Sequence, residues 1–429
     1  MRIRTFNNPK CADVQTLLQR ENDDSQNVDV LVAQILAEVK QNGDHALRAY
    51  TKQFDNADIS MIEVSQSEIE KARKETDEEF VAILQDAKEN IWNFHAKQKR
   101  EGFEIREKEG IVLGQKVTAL EKVGIYVPGG TASYPSTVLM NTIPAKIAGV
   151  EEIIMVTPPN RDGSISSDIL VAASLAGVDK IFKVGGAQAV AALAYGTESI
   201  CKVDKIVGPG NIFVATAKRM VYGLVDIDMI AGPSEILVIA DESANPRHVA
   251  MDMLSQAEHD KLAAAFLVTT SEAFAREVET FLQEFVETLP RSEIAKAAIE
   301  KNSAILVTDT LENAVNISNR IAPEHLEVCV EEPFVLLPDI KHAGSIFLGK
   351  YAPEALGDYF AGPNHTLPTS GTARFSSPLS VDDYMKKSSF VYYEKQELEK
   401  VYKKIDTFAR REGLDAHANS VSIRFEERE

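Results

Sequence analysis

Gln256 and His259 stand three residues apart in the run MDMLSQAEHD, which reads as a helical turn. That spacing puts both side chains on one face, roughly 5–6 Å apart at Cβ. A neutral imidazole nitrogen and an amide oxygen are donors that a zinc ion accepts, and two donors are half of its shell. Two distant polar stretches could supply the rest: Gly357-Asp358-Tyr359-Phe360 and Asp415-Ala416-His417. Each also has a plainer reading. Gln256 and His259 suit a polar helix face, Asp358 a turn-capping carboxylate, and His417 a surface histidine.

A second constellation lies at Ala322-Pro323-Glu324-His325-Leu326. Pro323 biases Ala322 away from helix, so a turn leading into a strand is expected. Neighbouring strand residues face opposite ways, so Glu324 and His325 serve one pocket only from the turn before the strand. There both could accept protons, His325 near neutrality and Glu324 if burial raises its pKa. A solvent-exposed pair is the alternative. Ser234, in Ala231-Gly232-Pro233-Ser234-Glu235, could bond a ligand or cap a helix.

These groups need a scaffold. Strand-like apolar runs at 153–156, 180–184, 205–207 and 236–239 alternate with helical stretches at 136–149, 167–176, 187–194 and 212–222. That alternation is the signature of βαβ units on a parallel sheet. A second set of strands follows at 264–268, 304–307, 325–330 and 345–348. The expected fold is α/β, with two Rossmann-like parallel-sheet modules, one inserted in the other, and small N- and C-terminal helical elements. Residues 1–25 are expected as an arm. Residues 26–124 and 236–378 form the outer module, with an amphipathic helix carrying Val28, Val30, Leu31, Ile35, Val39 and Leu47. Residues 125–235 form the insert and 379–429 a charged helical tail.

Glycine turns close several strands of the insert: Gly129-Gly130, Gly185-Gly186 and Gly208-Pro209-Gly210. The last two follow a strand and open a helix, the context in which backbone N–H groups approach a phosphate, although no complete G-x-G-x-x-G is present. Turn geometry alone accounts for each pair taken singly.

The 429 residues exceed what one core supports, so at least two domains are expected. The 46 basic residues against 65 acidic ones give a net charge of −19, which argues against nucleic acid or anionic membrane as partner. MRIRTFNNPK has no signal-peptide apolar core, and no run approaches the roughly 18 apolar residues of a membrane span. Cys11, Cys201 and Cys329 are too scattered for a disulfide framework or a thiolate metal site, which suits a cytoplasmic protein.

Taken together, the runs GIYVPGG (124–130), VGGAQAVAALAYGT (184–197), VGPGN (207–211), AGPSE (231–235), QAEHD (256–260), APEHLE (322–327), GDYFAGPNHTLPT (357–369) and EGLDAHANS (412–420) resemble the histidinol dehydrogenase family over nearly the whole chain. The resemblance implies NAD-dependent oxidation of L-histidinol to L-histidine through the aldehyde, in two hydride transfers. It implies one zinc per site on Gln256, His259, Asp358 and His417, and the catalytic acid/base pair Glu324 and His325. It places Tyr126, Gln188 and Asn211 at NAD. Ser234, Gln256, His259, His325, Asp358, Glu412 and His417 would contact the substrate. It further implies a homodimer in which Glu412 and His417 complete the other chain's site. His365 either touches substrate or supports the Asp358 loop. Two rival readings keep the same residues: a zinc hydrolase, turning over without NAD, and a non-catalytic metal-binding or dinucleotide-sensing protein.

Overall fold

The computed structural model describes residues 3–18, 25–129 and 133–426. Gly130 and parts of the expected N-terminal arm lie outside them. The chain divides into two compact units, Met1–Gln98 with Leu120–Tyr384, and Lys99–Ala119 with Met385–Glu429. The strands, in chain order, are β1 (Arg4–Asn7), β2 (Phe103–Ile105), β3 (Ile111–Ala119), β4 (Lys122–Tyr126), β5 (Glu152–Thr157), β6 (Lys180–Lys183), β7 (Lys205–Val207), β8 (Asp226–Ile227), β9 (Glu235–Ala240), β10 (Ala264–Thr269), β11 (Ala304–Val307), β12 (His325–Cys329), β13 (Ser345–Leu348) and β14 (Met385–Tyr393).

The first unit holds two parallel sheets. The inner one runs β6-β5-β4-β7-β8 and the outer one β1-β11-β10-β9-β12-β13. Their central strands are continuous apolar runs because helices cover both faces. In each sheet the strand order reverses near the middle, between β4 and β7 and between β9 and β12. The α/β class and the two parallel modules agree with the expectation.

Three features of the organisation differ from it. Helices Ser25–Tyr50, Gln66–Glu75 and Glu78–His95, assigned to the outer module, pack on the inner one. Helix Gly186–Tyr195 is alanine-rich and buried all round, so a second layer must cover it. Val32, Ile35, Val39 and Leu47 do so, in one core with Phe182, Val190 and Leu193, while Val30 is exposed. The described part of the expected arm is not an arm. β1 pairs in parallel with β11, and Val14 and Leu17 of helix Cys11–Leu18 are buried against that sheet.

The second unit is not only a helical tail. β14 pairs antiparallel along β3, which also pairs with β2. Helices Tyr402–Arg411 and Asp415–Ser422 pack on each other. Among the described residues no helix is long and apolar enough to cross a membrane.

Candidate active site

The charged groups collect at the amino ends of β9 and β12, the neighbours at the outer sheet's reversal. Ala322 takes a left-handed conformation (φ 53°) that ends helix Leu311–Ile321, and Pro323 then turns the chain into β12. Glu324 and His325 are both buried there. The first residue of β9 holds the pair through its backbone. Glu235 N–H donates to Glu324 Oε2 at 2.9 Å, and its carbonyl accepts from His325 Nδ1 at 3.0 Å. Nε2, the other ring nitrogen, faces the Asp358 carboxylate. The Glu324 and His325 side chains are 3.7 Å apart, so one pocket holds both although His325 already begins β12.

Helix Pro246–Ala257 begins on proline and an Asn245 cap, and it delivers Gln256 fully buried in its last turn. His259 is not on the helix. The helix stops at Ala257, and a turn in which His259 N–H donates to the Gln256 carbonyl (3.2 Å) carries the three-residue spacing on. The Gln256 amide suits its surroundings with nitrogen toward Glu354 Oε1 (3.0 Å) and the Glu235 carbonyl (3.2 Å). That orientation turns Oε1, the atom a cation would take, away from those acceptors.

A short helix, Glu354–Leu356, runs into the wide turn Gly357–Ala361 and brings in two more carboxylates. Glu354 Oε1 is 3.8 Å from His325 Nδ1, and Asp358 Oδ1 is 3.6 Å from His325 Nε2. Ligand atoms of His325, Glu354 and Asp358 lie within 4.8 Å of one another. Gly357 is required, since a Cβ there would sit 2.5 Å from the Phe347 ring. Glu354 was missed in the sequence. Its signal was the four-residue step to Asp358, which puts both acids on one helical face. Glu327 fixes Glu354 from behind, its Oε1 accepting the Glu354 N–H at 2.7 Å.

His365 supports the Asp358 loop. Its Nδ1 donates to the Asp358 carbonyl at 3.0 Å, and its Nε2 is 3.4 Å from Thr137 Oγ1 on helix Pro135–Ala148. That helix starts from the carboxyl edge of the inner sheet, so the loop ties the two edges together. Ser234 precedes a strand and therefore caps no helix; its carbonyl accepts from Ala264. Glu412 and His417 belong to the second unit. Glu412 ends helix Tyr402–Arg411, and His417 lies exposed on helix Asp415–Ser422.

Burial raises the Glu324 carboxyl to about 8 and that of Glu354 to about 7. Burial opposes charge on His325, yet Glu354, Glu324 and Asp358 together hold its pKa well above the usual value. Burial likewise opposes the Asp358 anion, but His325, His365 and His259 keep that carboxyl below its ordinary value. His259 is lowered, mainly by desolvation. Acids pushed up beside an imidazole also pushed up are groups poised to exchange protons near neutrality.

The carboxyl edge of the inner sheet is different. A cavity of about 340 Å³ there is lined by Tyr126, Gln188 and Asn211 with Gly129, Gly186 and Asp55. Gly208 has φ +112°, and a Cβ on it would meet the Tyr126 carbonyl at 2.1 Å; one on Gly129 or Gly185 would meet Pro158 at 2.5 Å. Tyr126 Oη accepts from Gly186 N–H at 3.0 Å. Asn211 caps helix Ile212–Val221 by accepting from Phe213 and Val214.

The histidinol dehydrogenase family profile matches residues 18–425. A histidinol dehydrogenase of Clostridium acetobutylicum is 56% identical over 96% of this chain and 95% of its own. One from Syntrophotalea carbinolica is 54% identical over the full length of both. The crystal structure of histidinol dehydrogenase from Elizabethkingia anophelis superposes with a TM-score of 0.93 at 41% identity, covering 98% of each chain. A shared profile, identity above half along the chain, and a common fold have one reading: the chain belongs to the histidinol dehydrogenase family and is an oxidoreductase.

Proposed function

We propose that this chain is a zinc-dependent, NAD-linked enzyme that oxidises L-histidinol to L-histidine through L-histidinal in two hydride transfers, the closing steps of histidine biosynthesis. The observation that carries the reading is the meeting of Gln256, Asp358, Glu324 and His325 around one buried imidazole at the amino ends of β9 and β12.

The residues fit a zinc ion. Gln256 Oε1, an Asp358 carboxylate kept ionised, and a His259 imidazole kept neutral are nitrogen and oxygen donors of the right kind. Bound there, zinc would hold the substrate's imidazole and amine as an anchor. NAD would accept the hydride, and Gln188 Oε1, buried without a hydrogen-bond partner among the described residues, supports its binding in the inner cavity beside Tyr126 and Asn211.

Within that frame each residue has a task. Nε2 of His325 takes the hydroxyl proton as hydride leaves carbon, and the Glu235 carbonyl keeps Nδ1 protonated so that Nε2 is the basic nitrogen. Glu324 takes a proton from the water that adds to the aldehyde, and the hydrate then loses the second hydride. Ser234 and the donors contact the substrate and hold its reacting carbon in place, which counts for several kcal/mol. Glu412 and His417 act in the partner's site of a homodimer. The free Cys201 and Cys329 suit a reducing cytoplasm.

Absorbance of NADH with histidinol, with and without chelator, tests the reading. Turnover is expected to vanish with chelator while the melting transition remains, because the donors sit at helix ends and loops outside the cores. Turnover without NAD would point to a hydrolase. NAD binding with no NADH formed would point to a sensor. Inactive His259→Ala and His417→Ala chains should regain activity when mixed; no recovery in mixed dimers removes the shared site.

A further inference from the structure

The wall of the inner cavity presents acceptors that lack donors. Gln188 Oε1 is one. Asp55 Oδ2 is the other: it too is buried with no hydrogen-bond partner among the described residues. Asp55 closes the helical turn Thr51–Asp55, and Asn56 follows it in a left-handed conformation. It lines the 340 Å³ cavity and also a neighbouring one of about 540 Å³, which shares Phe54, Gly129 and Pro158 with the first. Among the described residues no cation lines the first cavity. Arg161 lines only the second and is exposed, where solvent screens it.

We propose that Asp55 is the specificity-determining residue for the dinucleotide, accepting hydrogen bonds from the adenosine ribose diol and excluding a 2′-phosphate. This rests on the reading that NAD occupies the inner cavity. A ribose diol offers two donors, one for the unpartnered Oδ2 and one for the second carboxylate oxygen. Phosphate at the 2′ position removes one donor and brings close to two negative charges against a half-buried carboxylate whose Oδ2 is shut off from water. The apolar walls beside Asp55, from Leu31, Ile35 and Phe54, suit a flat base. The nicotinamide end, by contrast, must leave this cavity to reach His325. Burial alone raises the Asp55 carboxyl to about 6, the mark of an anion given no donors of its own.

Calorimetric titration of the zinc-loaded full-length protein tests this without turnover. For the wild type, NADP+ is expected to bind at least about a hundredfold more weakly than NAD+. Asp55→Asn, which keeps the shape, is expected to weaken NAD+ by about tenfold and to bring the two dinucleotides within about tenfold of each other. Equal affinity of the wild type for NAD+ and NADP+ overturns the proposal whether or not the variant folds. So does an Asp55→Asn protein with wild-type melting that keeps both wild-type affinities. Gln188→Leu separates the two layers. If it weakens NAD+ while Asp55→Asn does not, only the role of Asp55 fails. If neither weakens NAD+, the cofactor does not use this cavity and both statements fall.

Discussion

The two sheets share a topology and use opposite ends of it. At the outer sheet the amino ends of β9 and β12 gather ionisable side chains, with Glu324, His325, Glu327 and Glu354 all buried. At the inner sheet the carboxyl ends carry glycine turns around an apolar cavity. In the proposed function the first edge depends on which side chains are present, since the work asked of them there is donating to a cation and moving protons. The second depends on where the backbone goes, since its glycines are needed for what they lack. Damage at the outer edge should therefore appear in chemistry with the fold intact, and damage at the inner edge in stability and cofactor binding together.

The largest effect expected is at Glu324. Glu324→Gln keeps the size and the Glu235 N–H contact while removing the base. Oxidation of histidinal should fall by about 10²–10⁴-fold, and the histidinol step much less, because only the aldehyde step needs an activated water. Rates measured separately with each substrate decide it. Equal losses in both steps would refute the assignment of Glu324 to the water, and a loss of melting temperature would contradict the separation of the two edges.

Next in size is Lys218 at the inner edge. The Gly208 turn is pinned from below by a buried ion pair whose side chains are 2% and 1% exposed, Lys218 and Asp228. Lys218 Nζ donates to the Gly208 carbonyl at 2.9 Å, and Asp228 accepts from the Gly208 N–H at 2.8 Å. Lys218→Met strands Asp228 as an uncompensated buried charge, which costs about 3–5 kcal/mol. Urea unfolding and NAD+ titration should worsen together. A variant as stable as the wild type that binds NAD+ as tightly would show that the turn needs no such pin.

The same contrast explains what could be read in the sequence. Continuous apolar strands and glycine turns are local signals, so the parallel α/β modules and the glycine turns of the inner edge were legible, whereas the single helical turn expected for Gln256 and His259 breaks at Ala257. Glu354 was not legible. An acid opening a short helix normally faces water, and its burial against His325 is created by residues far away in the chain. Helix Ser25–Tyr50 was legible as an amphipathic helix, but an apolar stripe does not say which sheet it will meet. β14 was mistaken for helix because almost all of it is exposed. A strand with no buried face has no period-two alternation, and KKSSF beside charged residues then resembles a solvated helix.

The smallest effect, and the one that sharpens the picture of the outer edge, concerns Asp252. Its carboxyl lies beside that of Glu327, the residue that holds Glu354. Burial raises the Asp252 carboxyl from 3.8 to about 6 and drives Glu327 well above its ordinary value. Two buried acids in contact keep a proton that the unfolded chain gives up near pH 4. Between about 4 and about 6 the folded state therefore binds more protons than the unfolded one. The pair's contribution to stability is full below that window and is lost as pH rises through it. Asp252→Asn supplies a permanent donor to Glu327 and removes the titration. Its melting temperature should change less with pH across this window than that of the wild type, with kcat near neutrality little altered. An unchanged slope would mean that no proton is shared there, and that Glu327 positions Glu354 as a plain carboxylate.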